Sequence, residues 1–363
     1  AWDLHPEEKH LAGLLKNVGY RTDGVGIIHE TRRPIDYGYE EHHGGRHAKD
    51  VADTVIGLLE RKAEDARPFF LYAGTAEPHR LIAENEHGFM GFLGNHLEKD
   101  EAAGVQVPEY LMDDSGARAE LAEVQGAVRE VDTHFGRVLR ALDRLGLREN
   151  TLVLFTSDHG LALPRAKCTC YDPGLEVPLL LRLPKRAGWH GGRVLSEMLP
   201  NIDIMPTLCD LAEANTPEAV HGHSFAPLLD GADYTPNKTV FAEMTHHDYY
   251  DPMRAIRTDR YKMILFFSNA PAFMDCSQSW RPRSSTKVPP EPGLAYHPLI
   301  ELYDLKQDPW EQNNLADNPE YRTIQRDLLR RLRSHLHETA DPILKEAITP
   351  PIHHDSLRLL DKA

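Results

Sequence analysis

Hydrophobic residues change their spacing several times along this chain, and each change marks an element. Over residues 10–18 (HLAGLLKNV) they recur at helical intervals, and Gly19 follows as a stop. Residues 20–28 then read as a short strand, and 51–62 as a second helix. Residues 68–75 (PFFLYAGT) form a continuous apolar strand that runs into Glu77-Pro78-His79-Arg80. The stretch 81–114 is glycine-rich and irregular, with the texture of a functional loop rather than a linker. A long amphipathic helix is predicted over 117–145, with Leu121, Val124, Val128, Val131, Phe135, Val138 and Leu142 on one face. It feeds a strand over 152–156 that stops abruptly at Ser157-Asp158-His159-Gly160. Another apolar run covers 177–183, and 202–212 reads as a helix with Pro206 in or near its first turn.

From about Thr235 the texture changes. Short alternating segments appear at 239–244 and 254–267, then a helix over 320–337. Strands alternating with helices, followed by hairpin-like strands and a helix, predict an α/β fold. The expected division is a mostly parallel sheet sandwiched by helices over residues 1–235, and a smaller C-terminal subdomain with an antiparallel sheet over 236–363.

Composition narrows the function. The 41% apolar and 27% charged residues are those of a soluble globular chain, and 363 residues suffice for one large domain with a small companion. A net charge of −15 excludes a general nucleic-acid binder, because no basic stripe is available to neutralise phosphates. It leaves room for an anionic substrate in a locally positive pocket. No apolar run approaches the roughly 18 residues of a membrane span. Cys168, Cys170, Cys209 and Cys276 are too few for a disulfide framework in a chain this long, and the Cys168/Cys170 pair is weak evidence for a metal.

Three predicted strand ends carry His or Asp: His29 after Gly26-Ile27-Ile28, His79 after Glu77-Pro78, and Asp158-His159. In a parallel sheet, equivalent strand ends converge on one edge, where ligands bind. Asp158 offers a hard oxygen and His159 an imidazole nitrogen, and Gly160 is expected to let the backbone turn sharply beneath a ligand. Lys167, nine residues beyond Asp158, could fold back over the same site. A metal, a lysine and two histidines around one pocket suit hydrolysis of an oxyanion ester.

The segments HLAGLLKNVGYRT, PFFLYAGTAEPHR, TLVLFTSDHG, PRAKCTCYDPGLEVPLLLRLP and LYDLKQDPWEQNNLADNP together resemble the type I sulfatases of the alkaline phosphatase superfamily. Within that family the chain is most similar to the heparan N-sulfatases (sulfamidases). That likeness rests on PFFLY followed by EPHR, the His246-His247 pair before PMRAIRTDRYKMI, and HETADP near the end. The resemblance covers about residues 5–345. It implies an alkaline phosphatase-like fold and a sulfate ester or sulfamate (N-sulfate) hydrolase acting on a sulfated saccharide or other sulfated small molecule. Asp158 and His159 would be metal ligands for Ca²⁺, with Mn²⁺ also suited to the imidazole. His29 would assist the nucleophile and sulfate release, and His79 and Lys167 would grip the sulfate or protonate the leaving group. His246 and His247 would reach the substrate from the C-terminal subdomain. The family's habit of export implies a periplasmic, extracellular or lysosomal location.

Two departures from the family pattern matter. The family nucleophile is a formylglycine made from the cysteine of a C-x-P/A-S-R motif, and an Asp-Asp pair on the first strand completes the metal site. Neither appears in this chain. The expectation is an N-terminally incomplete portion of a sulfatase that is inactive alone. Secondly, many sulfatases have Lys two residues before the histidine matched by His29, where this chain has Ile27. The alternatives are a non-catalytic sulfatase-like module that binds a sulfated glycan, and a phosphodiesterase or phosphonate monoester hydrolase of the same superfamily.

Overall fold

The computed structural model describes residues 4–5, 7–82, 90–189, 191–247, 250–269, 283–287 and 296–361. The chain opens with helix α1 (Leu11–Asn17), strand β1 (Arg21–Gly26), strand β2 (Glu41–His43), helix α2 (Ala48–Lys62) and strand β3 (Phe69–Gly74). Two very short strands, β4 (Leu81–Ile82) and β5 (Met90–Gly91), lie in the stretch read from sequence as irregular. Helix α3 (Ser115–Arg144), strand β6 (Val153–Thr156), the single turn α4 (Asp172–Leu175), strand β7 (Leu179–Arg182), and helices α5 (Ile204–Leu211) and α6 (Ala226–Asp230) complete the larger part. The C-terminal part holds strands β8 (Val240–His246), β9 (Tyr250–Arg257), β10 (Tyr261–Phe266) and β11 (Ile300–Asp304), then helices α7 (Arg322–Glu338) and α8 (Pro351–Leu360).

Most predicted helices lie within three residues of their observed ends, because capping and periodicity agree. Asp114 caps α3 by accepting the Ala117 amide at 2.8 Å, so the helix starts two residues before the predicted point. The strand predicted over 20–28 ends at Gly26. There β1 and β3 come unusually close. A Cβ on Gly26 would stand 2.1 Å from the Gly74 carbonyl oxygen, and one on Gly74 would stand 2.2 Å from that of Ile27. Glycine at both places is what lets the two strand ends run side by side towards His29 and His79.

The alternating stretch 254–267 is two strands rather than one. Thr258 breaks it by accepting the Tyr261 amide on its hydroxyl at 2.8 Å and closing a tight turn between β9 and β10. The resulting antiparallel sheet runs β11-β10-β9-β8, and α7 covers it with Leu328, Leu332 and Leu336 packed on Ile256, Met263 and Leu302. This is the smaller antiparallel subdomain expected from sequence.

In the larger part, β1 pairs in parallel with β2 on one side and β3 on the other, and β6 pairs antiparallel with β7. Among the described residues the two ladders are not joined. A cleft of about 2520 Å³ runs between them, lined by every residue of β3 and of β6 and by apolar side chains of α1, α2, α3 and α5. It exceeds the roughly 300–1,000 Å³ of an ordinary small-ligand pocket. The strands on its walls are correspondingly half-buried, whereas β1 beside them is buried from Thr22 to Gly26. None of the described helices is long and apolar enough to cross a membrane.

Candidate active site

The strand ends at the carboxyl edge of this cleft gather four of the predicted residues. Lys167 donates to Nε2 of His79 at 2.8 Å. The other nitrogen of His79, Nδ1, lies 2.7 Å from the backbone carbonyl of Arg80 and donates to it. These two bonds select the neutral Nδ1–H form of the ring. Burial first, and then the positive Lys167, hold its pKa below the ordinary imidazole value, against the opposing pull of the Arg80 carbonyl and Asp158.

Asp158 and His159 follow β6 directly. Nε2 of His159 stands 3.4 Å from Oδ2 of Asp158, while its Nδ1 lies 2.8 Å from the Gly160 carbonyl. With Nδ1–H donating to that carbonyl, the Nε2 lone pair faces the carboxylate oxygen. A carbonyl acceptor behind a ligating imidazole is the usual device that fixes its tautomer. The side chain of Asp158 is 74% exposed, so it is open to a cation from the cleft. Gly160 lies in the bend that follows β6, and close packing is what requires a glycine there. Its backbone is not left-handed; a Cβ there would stand 1.8 Å from the Pro173 carbonyl oxygen, and its amide donates to Gly174 at 2.9 Å. The glycine permits close packing of the segment that carries Lys167.

That segment returns to the site because it is anchored at both ends. Ala162, Leu163 and Ala166 sit in the core formed with α3, and Cys170 and Tyr171 sit in the core of the C-terminal sheet. Arg165, with a left-handed φ of 59°, lays its guanidinium 3.7 Å from the centre of the Tyr171 ring and bonds the Tyr303 hydroxyl at 3.2 Å. Arg80 is a second anchor. It is buried, donates to the Ala162 carbonyl at 2.8 Å and to Glu120 of α3 at 2.7 Å, and stacks on Phe92. From sequence, Arg80 stands out only as part of the EPHR motif, with no anchoring role, and Glu120 does not stand out at all. An arginine directly after a strand-end histidine was the available signal for one, and nothing local marks the other.

The remaining predicted residues are less directly placed. His29 is exposed, three residues beyond β1, and lines the same cleft. Its neighbour Glu30 approaches His10 at 3.6 Å, and the Tyr72 hydroxyl is pushed up to about 12 by burial, then by Glu30 and Asp158. Tyr72, unremarked in the sequence, therefore stays a protonated donor on the cleft wall. His246 and His247 do not line the cleft. His246 closes β8, where Nε2 lies 3.1 Å from the Ile348 carbonyl and the ring lies 4.9 Å from Tyr250. His247 is exposed beside it. Cys276 lies outside the described residues.

Comparison with known proteins decides the family. The sulfatase family model matches residues 2–214, more than half of the chain. The chain belongs to the sulfatase family. The C-terminal model of N-sulphoglucosamine sulphohydrolase matches residues 163–279. This sulfatase is 29% identical to human N-sulphoglucosamine sulphohydrolase over 94% of its own length and 78% of the relative's. It is 33% identical to an ulvan-active sulfatase of Formosa agariphila, over 62% of this chain and 45% of that one. Among solved structures, BT4656 in complex with its substrate D-glucosamine-2-N,6-O-disulfate shares the fold with a TM-score of 0.68 at 17% identity, covering 95% of this chain and 85% of that one. The likeness to sulfatases, and to the N-sulfatase branch in particular, expected from the sequence is thus borne out.

Proposed function

We propose that this sulfatase hydrolyses N-sulfate or sulfate ester groups on a sulfated saccharide, using a nucleophile from a segment outside these 363 residues. The observation that carries the reading is the meeting of Lys167, His79, Asp158 and His159 at one end of a cleft in a sulfatase fold. Lys167 offsets charge on sulfate oxygens, and its proton, shared towards Nε2 of His79, is available to a departing nitrogen or oxygen. Tyr72, kept protonated, adds a donor to the same wall. The relation to N-sulphoglucosamine sulphohydrolase over both matched regions supports the N-sulfate as substrate.

Sulfatases generally use a divalent metal, and Asp158 and His159 would hold it here. Their donor atoms face each other at 3.4 Å with the imidazole tautomer already set. One carboxylate and one nitrogen are too few for Ca²⁺, which takes six to eight oxygens, so further ligands must come from outside this pair. When bound, the ion would polarise a sulfate oxygen.

A further feature supports an external nucleophile. The cleft between β3 and β6 has room for an additional strand, whose carboxyl end would reach the Asp158 edge. The test compares the 363-residue chain with a version extended upstream and carrying a formylglycine. Sulfate release from glucosamine N-sulfate and from glucosamine 6-O-sulfate is expected from the extended form alone. Metal-dependent turnover by the 363-residue chain would overturn the external nucleophile, and phosphodiester cleavage without sulfate release would overturn the substrate class.

A further inference from the structure

Beside this site, but built from other residues, His47, Glu77 and His96 turn their donor atoms towards a common point. We propose that they form a zinc-class cation site that ties the end of β3 to the start of α2. Their ligand atoms all lie within 4.8 Å of one another. Both imidazoles address one oxygen: Nδ1 of His47 is 2.7 Å and Nε2 of His96 is 3.0 Å from Oε1 of Glu77. The other oxygen, Oε2, accepts the Ala48 amide at 2.8 Å, an outer bond that fixes the direction of the carboxylate.

Two imidazoles and a carboxylate make the donor set of a zinc site with one position left open. The Glu77 side chain is 0% exposed, while those of His47 and His96 are 38% and 36% exposed, so the open position faces water. A tetrahedral zinc with bonds of about 2.0–2.1 Å sets its ligands roughly 3.3 Å apart. The cluster therefore needs to open only slightly. A neutral imidazole carries one N–H, and placing it on the outer ring nitrogen leaves the inner lone pair free for the ion.

A second cluster, Asp23, Glu41 and His43, has similar spacing but a different charge state. The Lys62 ammonium already bonds Asp23, and Arg21 stands 3.5 Å from it, so a cation would have to displace one that is built in. Glu77 pairs with the two histidines instead. Because Glu77 lies two residues before His79, an ion there would hold the turn that presents His79 to Lys167.

The test is titration of the full chain with Zn²⁺, and with Co²⁺ as a visible probe. One ion per chain with the intense bands of four-coordinate Co²⁺ is expected, together with a rise in melting temperature. His96→Ala and Glu77→Gln should each weaken this binding at least tenfold, while Asp158→Ala leaves it in place. If Glu77→Gln fails to fold, the exposed His96→Ala decides. Absence of binding, or binding that is unchanged in His96→Ala, would overturn the proposal.

Discussion

The ammonium of Lys167 donates to Nε2 of His79 across 2.8 Å, joining residues 88 positions apart in the chain. The bond makes Lys167 one of the causes that depress the histidine, after burial. Lys167→Met should therefore raise the His79 pKa without bringing it to the ordinary value, because burial remains. Histidine C–H shifts followed by NMR through a pH titration would read this directly. An unchanged midpoint would mean that the contact does not form in solution.

The same depression has a consequence for stability. A histidine whose folded pKa is lowered binds its proton more readily in the unfolded chain. Its stabilising contribution is full above the unfolded value of about 6.5 and is lost as pH falls through the folded value. Urea unfolding of the chain should show this decline below pH 6.5, and His79→Gln should show less of it. Parallel pH curves for the two proteins would contradict the assignment.

Arg80 and Glu120 form an ion pair whose side chains are each 1% exposed. Removing one partner of such a pair leaves a bare buried charge, at a cost of roughly 3–5 kcal/mol. Arg80→Leu should lower stability by about that amount, and Arg80→Leu with Glu120→Leu should recover part of the loss. Glu120 also accepts from the amide of Ser284 at 3.0 Å, which limits the recovery. The unfolding free energies of Arg80→Leu and of the double variant check the ordering.

The open side of β3 should be visible in amide exchange. The Arg21 amide bonds the Pro68 carbonyl and that of Ile27 bonds Gly74, so the parallel ladder turns the amides of Phe69, Leu71 and Ala73 away from β1 and towards the cleft. These three should exchange much faster than the intervening Phe70 and Tyr72 in the 363-residue chain. In an extended protein that fills the cleft, the alternation should disappear. Uniform protection in the short chain would show that the ladders close on each other.

Much of this arrangement was legible in sequence because the elements carry strong local signals. Helical spacing in α3, the apolar run of β3 and the abrupt end of β6 at Asp158 each point to one structure. What sequence could not supply depended on contacts between distant segments. The pairing of Glu120 with Arg80, the convergence of His47 and His96 on Glu77, and the need for Gly160 beneath Pro173 arise only once the chain is folded. The partner of His246 is of the same kind: it addresses the Ile348 carbonyl, about 100 residues away, which no local pattern announces.

The segment carrying Lys167 is rooted in two cores at once, Leu163 and Ala166 in one and Cys170 and Tyr171 in the other. The two halves of this chain are therefore poor candidates for interchange. A chimera that grafts a relative's C-terminal sheet after residue 235 would replace the partners of Tyr171 and Arg165 and loosen the lysine before any new specificity could be read. Exchanges that carry residues 161–175 along with the C-terminal sheet keep that footing intact and are the ones expected to transfer cleanly.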